Sequence, residues 1–140
     1  MIAGNAAAHE DNNLSATVIL NPKPDSPVMQ EEIFGPILPV FTFSKIDEVI
    51  EFINARDKPL TLYYFGGLFN NSNRHRVEKE TSSGAYVVND VLFNLANPDL
   101  PFGGVGASGY GKYHGFDGFK AFSNAKAVMI KPTLKMYPYN

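Results

Sequence analysis

The sequence predicts an α/β fold: a parallel βαβαβ sheet with crossover helices, followed by a long Gly-rich loop and a C-terminal strand. Three observations predict it. Short runs rich in β-branched and aromatic residues alternate with segments of helical character. The spacing between runs leaves room for crossovers, as parallel pairing requires. Beyond Asn89 the periodicity stops, and glycine and asparagine become frequent.

The elements follow in order. Residues 16–20 form a β-rich run closed by Asn21-Pro22. Residues 22–27 are Pro-rich, and fixed φ with missing donors makes them an ordered connector. Residues 36–43 read as a strand, with Val40, Phe41 and Phe43 supplying the bulk. Ser44 is a good N-cap, and Asp47 and Glu48 sit where the helix dipole favours negative charge. Ile46, Val49, Ile50 and Ile53 then recur at i, i+3, i+4 and i+7, one apolar helical face ended by Pro59. Residues 60–65 are almost continuously apolar, which predicts a strand buried on both faces, broken by Gly66-Gly67.

Residues 70–83 are a solvated helix or an irregular loop, because Val77 is their one clearly apolar residue. Gly84 opens a second buried-strand pattern over 85–88. Residues 90–115 form the long loop, and a loop of that length in a domain is usually functional. Residues 116–123 suit a short helix. Residues 125–130 read as a last strand, halted by Pro132.

Composition sets outer bounds. The 140 residues make one domain or part of one, and are enough to bury a core. There is no cysteine, which excludes disulfides, a thiolate nucleophile, Cys-ligated zinc and iron–sulfur clusters. Hydrophobic residues are 44% and charged ones 19%, so the chain is not of disordered type. A net charge of −2 steers it toward neither nucleic acid nor an anionic membrane. The first 13 residues lack a basic leader region, and the longest apolar run, 37–43, is too short to span a bilayer. A soluble, intracellular and cytoplasmic protein is the expectation.

Several constellations invite chemistry. Gly104, Gly106 and Gly109 spell G-x-G-x-x-G. A dinucleotide fingerprint also needs a strand before it, a helix after it and an acid further on. Pro101 precedes, Gly111 follows, and no acid lies at the offset. These glycines instead allow unusual backbone angles and close approach. Ser108, His114 and Asp117 resemble triad components, but Tyr110 stands where a nucleophile elbow needs glycine. His9, His75 and His114 are scattered, so no metal is expected. Asn13 and Asn70 head glycosylation-type tripeptides in a chain with no sign of secretion. The segment from Gln30 to Pro36 allows two readings. Glu31 and Glu32 form a solvated turn with Phe34 in the core, or a carboxylate and a ring meet a ribose and a flat heterocycle.

Residues 26–40 (SPVMQEEIFGPILPV) resemble a signature of the aldehyde dehydrogenases. Residues 80–84, 88–90 and 100–106, then Ser108-Gly109 and Tyr113-His114-Gly115, follow in family order, and the last groups look like the class-3, fatty-aldehyde-type branch. The resemblance covers about 16–132. It implies oxidation of aldehydes to carboxylic acids with NAD or NADP, through a cysteine thiolate and a glutamate base. It also implies that Glu32 holds the nicotinamide ribose, that Phe34 packs near the nicotinamide, and that Phe102 walls the aldehyde pocket. Asn89 and His114 match positions with structural roles.

Family members are much longer, and their cofactor domain, base and nucleophile precede the stretch matched here. The resemblance therefore makes residues 1–131 the C-terminal part of the catalytic domain. It puts a substrate-side loop at about 90–115, a dimerisation-type end at about 125–131, and a tail at 132–140. No catalytic residue and no metal ligand are assigned, and the isolated chain is expected to be inactive. The polar stretch 70–79 departs from relatives in lacking an apolar helix face. The alternative is a non-catalytic dimerisation or interaction module, whose exposed strand edges would favour homo-oligomers or strand exchange.

Overall fold

The computed structural model describes residues 2–3 as backbone, and residues 14–67, 69 and 71–131 in full. The expected tail 132–140, Pro132, Asn13 and Asn70 lie outside the described residues. The chain divides into two units, Met1–Glu51 and Phe52–Asn140.

In the first unit, β1 (Ile2–Ala3), β2 (Thr17–Leu20) and β3 (Ile37–Val40) form one sheet in the order β1-β2-β3. β2 and β3 are parallel, with Thr17 opposite Ile37 and Leu20 opposite Val40, and β1 adds antiparallel. Pro39 pairs with Ile19, and β3 lies at the sheet edge. Proline has no N–H for a second ladder, so an edge strand is where it is tolerated. The connector between β2 and β3 contains a 3-10 turn, Pro27–Met29, with proline in its first turn. Helix α1 (Ile46–Asn54) carries Asp47 and Glu48 in its first turn. Glu48 accepts the Ser44 N–H at 3.3 Å, and Ile50 is buried at 7% exposure.

The second unit holds the expected strand–helix–strand. β4 (Thr61–Tyr64) and β5 (Ala85–Val88) are parallel, with Thr61 opposite Ala85 and Tyr64 opposite Val88. Between them runs α2 (Ser72–Glu80), the solvated helix of the two options. Its single apolar residue is its anchor, since Val77 is only 2% exposed. Arg76 grips Glu80 through two bonds of 2.8 and 3.0 Å, one turn apart, a pairing that supports an exposed helix by a few tenths of a kcal/mol. The Tyr86 hydroxyl donates to Arg74 O at 3.1 Å and ties β5 to the helix. Burial, with Glu78 adding to it, pushes the Tyr86 phenol above its ordinary pKa.

The structure corrects the expected architecture at several points. The described strands do not join one βαβαβ sheet; they form a three-stranded and a two-stranded sheet. β3 takes its parallel partner from upstream β2, through a crossover without an α-helix, and not from β4. Periodicity defines strands but not their partners. β4 is not buried on both faces, because none of its residues is fully buried and Tyr63 is exposed. Residues 125–130 form no strand: Val128, Met129 and Ile130 are exposed and no ladder partner reaches them among the described residues. β-propensity without a neighbouring strand does not make a sheet.

The long loop is more ordered than expected. It contains α3 (Phe93–Ala96), a 3-10 turn at Gly106–Ser108, and a bridge between Phe102 and Tyr113. Helix α4 (Gly115–Ala121) occupies the expected short-helix position. Ile50 and Val77 are the buried hydrophobics among the described residues. Many large apolar side chains among the described residues are exposed, with Phe34, Phe122 and Met129 each at least 90% exposed. No helix among the described residues is long and apolar enough to cross a membrane.

Candidate functional site

Both parallel pairs end in the same device. Asn21 follows β2 with φ of 46°, and Asn89 follows β5 with φ of 56°. Asparagine is among the few side-chain-bearing residues that visit this region readily. Each backbone N–H donates to the last carbonyl of the neighbouring strand, Val40 at 2.7 Å and Tyr64 at 2.8 Å. Each side-chain oxygen accepts the N–H two residues further on, from Thr42 and from Gly66, both at 2.9 Å. Each amide nitrogen donates onward, to Thr42 Oγ1 and to Gly66 O, both at 3.1 Å. Asn89 thus has the structural role its motif position implies. Asn21 was not singled out from sequence, although an asparagine directly after a β-run was the available signal. Replacing Asn89 with alanine removes two bonds and leaves an unsuited residue at positive φ. It should destabilise the second unit by about 2 kcal/mol. Asn89→Gly should recover the backbone part, as read by chemical denaturation of both variants.

Glu32 and Phe34 lie on the loop that Asn21 begins. The first part of that loop is self-bonded. Gln30 Nε2 donates to Pro24 O at 2.7 Å, and Ser26 Oγ donates to Lys23 O at 2.6 Å. Its last part is fastened to the sheet, where Thr17 N donates to Pro36 O at 2.8 Å. Between these anchors Glu32 is exposed, with no hydrogen-bond partner among the described residues. Phe34 is held at φ of 39° with its ring 92% exposed. Of the two readings of this segment, the one that puts Phe34 in the core does not hold. A bulky residue in left-handed backbone carries strain of order 1–3 kcal/mol, and such strain gathers at ligand contacts.

Phe102 belongs to the second unit. It exchanges backbone bonds with Tyr113 at 2.8 and 3.0 Å. Its ring stacks on His114 at 5.8 Å and meets Tyr113 edge-on at 5.9 Å, while Tyr113 and His114 are 4.3 Å apart. His114 Nδ1 is buried without a partner among the described residues. An open cleft of about 490 Å³ lies beside this cluster, walled in part by Leu60, Phe102, Tyr110, Lys112 and Phe122.

The hydrolase-like residues do not assemble. Ser108 Oγ caps its own turn, bonding Val105 N and O at 3.0 Å. Asp117 pairs with Lys120 at 2.6 Å, and His114 is stacked on Phe102. The glycine pattern opens a three-residue 3-10 turn and not a helix, so it lacks the fingerprint's geometry. The described residues hold no cluster suited to a metal ion.

Each unit shows its own feature of an α/β segment: the first presents an exposed carboxylate and an aromatic at positive φ, and the second an aromatic-lined cleft. The model of the aldehyde dehydrogenase family matches residues 1–128, and the chain belongs to that family, a family of oxidoreductases. Family 3 member A2 of Mus musculus is 50% identical over 118 residues, covering 84% of this chain and 24% of that protein. The dimeric NADP-preferring aldehyde dehydrogenase of Rattus norvegicus is 46% identical over 125 residues, 86% of this chain and 26% of that protein. The substrate-bound structure of Staphylococcus aureus AldH matches with a TM-score of 0.81 and 42% identity, covering 99% of this chain and 31% of that chain. The chain spans about a quarter of the length of the curated relatives it matches.

Proposed function

We propose that the chain is the C-terminal part of an NAD(P)-dependent aldehyde dehydrogenase catalytic domain, residues 1–131, that serves oxidation of aldehydes to carboxylic acids. One observation carries the reading: Phe34 is strained and fully presented two residues after the unpartnered carboxylate of Glu32. A carboxylate accepts hydrogen bonds from two vicinal hydroxyls, and Glu32 is free to do so toward a nicotinamide ribose. The Phe34 ring offers a flat apolar face for the nicotinamide. Phe102, braced by Tyr113 and His114, walls the aldehyde side, with the loop at about 90–115 around it. When bound, NAD or NADP supplies the hydride acceptor.

These residues bind and orient; none attacks the aldehyde, and the 140 residues include no cysteine that could. The chain alone is therefore expected to be inactive. Mixing it with NAD, NADP and a panel of aldehydes tests this, and sustained NADH or NADPH production by the pure chain would overturn it. Perturbation of the Phe34 ring resonances by nicotinamide mononucleotide is the positive result expected of the cofactor surface.

A second reading, a non-catalytic interaction module, draws on the exposed Phe122, Val128, Met129 and Ile130 and on the outer edges of the two sheets, which have no ladder partner among the described residues. Such features favour association with further copies or strand exchange, the segment at about 125–131 included. The relative from Rattus norvegicus is named as dimeric, which supports the homo-oligomer. A compact monomer in sedimentation at high concentration would count against this module. An intracellular, cytoplasmic location of the protein is part of the first reading.

A further inference from the structure

We propose that Lys112 is a positioning residue for the aldehyde side, an ammonium pin that fixes the turn carrying Phe102 against the start of β5. The proposal rests on the reading of Phe102 as a pocket wall. Lys112 Nζ donates to Gly84 O at 2.7 Å and also to Gly103 O. The two carbonyls come from segments far apart in sequence. One precedes β5, and the other follows Phe102 directly. Lys112 itself adjoins Tyr113, whose backbone bonds Phe102 on the other side. The Phe102 turn is thus held by the Tyr113 bridge and by the Lys112 cation.

The setting makes the cation effective. Lys112 is half-buried and lines the open cleft. Charge-assisted bonds there are stronger than neutral ones, and the lysine stem can lie along apolar surface while its head is fixed. Gly103 and Gly84 let the carbonyls converge. A Cβ on Gly84 would stand 2.4 Å from Gly103 O, and one on Gly103 would stand 3.1 Å from the Lys112 stem. Among the described residues no carboxylate pairs with Lys112, so its two partners are backbone dipoles whose positions define the loop.

The test uses the whole 140-residue chain with Lys112→Met, which keeps the stem and removes the charge, and Lys112→Arg, which restores it. Lys112→Met should speed amide exchange at Phe102 and Tyr113 at least about tenfold, because both charge-assisted bonds are lost. The cross-peak between the Phe102 and His114 rings should fade, exchange at Val77 should stay unchanged, and Lys112→Arg should recover both signals. Benzamide, a ring and carbonyl without aldehyde reactivity, serves as the pocket probe. Its perturbation of Phe102 should weaken several-fold in Lys112→Met and return in Lys112→Arg.

Exchange at Phe102 that stays within about twofold of the parent, or equal loosening at Val77, overturns the pin. Benzamide that leaves Phe102 unperturbed in the parent chain overturns the pocket reading instead, and the exchange rates then decide the pin alone. Should Lys112→Met not fold, the parent chain still decides: a Lys112 ammonium that exchanges as fast as that of exposed Lys126 overturns the proposal.

Discussion

Substituting Gly84 with alanine is expected to destabilise the second unit by on the order of 3 kcal/mol, the upper end of overpacking penalties. The added Cβ would stand 2.4 Å from the carbonyl oxygens of both Leu60 and Gly103, and 3.0 Å from Gly104 Cα. All three are backbone atoms, and none is free to retreat. Leu60 O accepts the Ala85 N–H at 2.9 Å, and Gly84 N donates to Pro59 O at 2.9 Å. Gly103 O is held by Lys112. Moving any of them breaks the entrance to the β4–β5 ladder or displaces Phe102. The cause is space and not backbone freedom. Gly67 is the control, since a Cβ there meets nothing within 4 Å, and its alanine variant should be neutral or slightly stabilising. Urea midpoints for the two variants check the contrast. Equal midpoints would mean that the turn at Gly103 relaxes at little cost.

Phe34→Gly is expected to act with opposite signs on stability and on binding. Glycine takes positive φ without the Cβ clash, and the exposed ring contributes no buried area to lose. Allowing for the entropy of a glycine in the unfolded chain, the first unit should gain about 1 kcal/mol. Affinity for a nicotinamide nucleotide should fall about tenfold, because one stacked aromatic face is worth about that much. Phe34→Leu separates the two effects: it keeps the strain, so it should lose affinity without gaining stability. Thermal unfolding and nucleotide titration of the three chains measure both quantities. A Phe34→Gly chain that is less stable than the parent would show that the ring packs within the protein. The cofactor reading would then lose its support.

The local elements were legible because their causes are local. The apolar stripe of Ile46, Val49, Ile50 and Ile53 made a helix, and Ile50 is the member that is buried. The polar stretch before Gly84 could be narrowed to a solvated helix or a loop, and Val77 was visible as its sole anchor. The pairing of strands was not legible. β3 and β4 flank α1 as a crossover pair would, yet each takes a different partner, and Pro39 suits β3 to a sheet edge. Nor could the 125–130 run be told from a strand, since it has the composition of one and lacks only a neighbour.

The candidate site divides in the same way. Glu32, Phe34 and Phe102 could be named from motif resemblance, but three features that give them meaning come from through-space contacts. They are the left-handed backbone of Phe34, the asparagine clasps at both strand ends, and the ammonium pin beneath Phe102.

By itself, the sequence determined the positions of β2, β3, α1, β4 and β5, because those follow from the sterics and hydropathy of near neighbours. It also determined that no thiolate arises from these 140 residues, because that depends only on the residues present. Tertiary structure decided which strands meet, which apolar residues are covered, and which backbone is strained. Those outcomes depend on groups distant in sequence, such as Gly84, Gly103 and Lys112, arriving at one place.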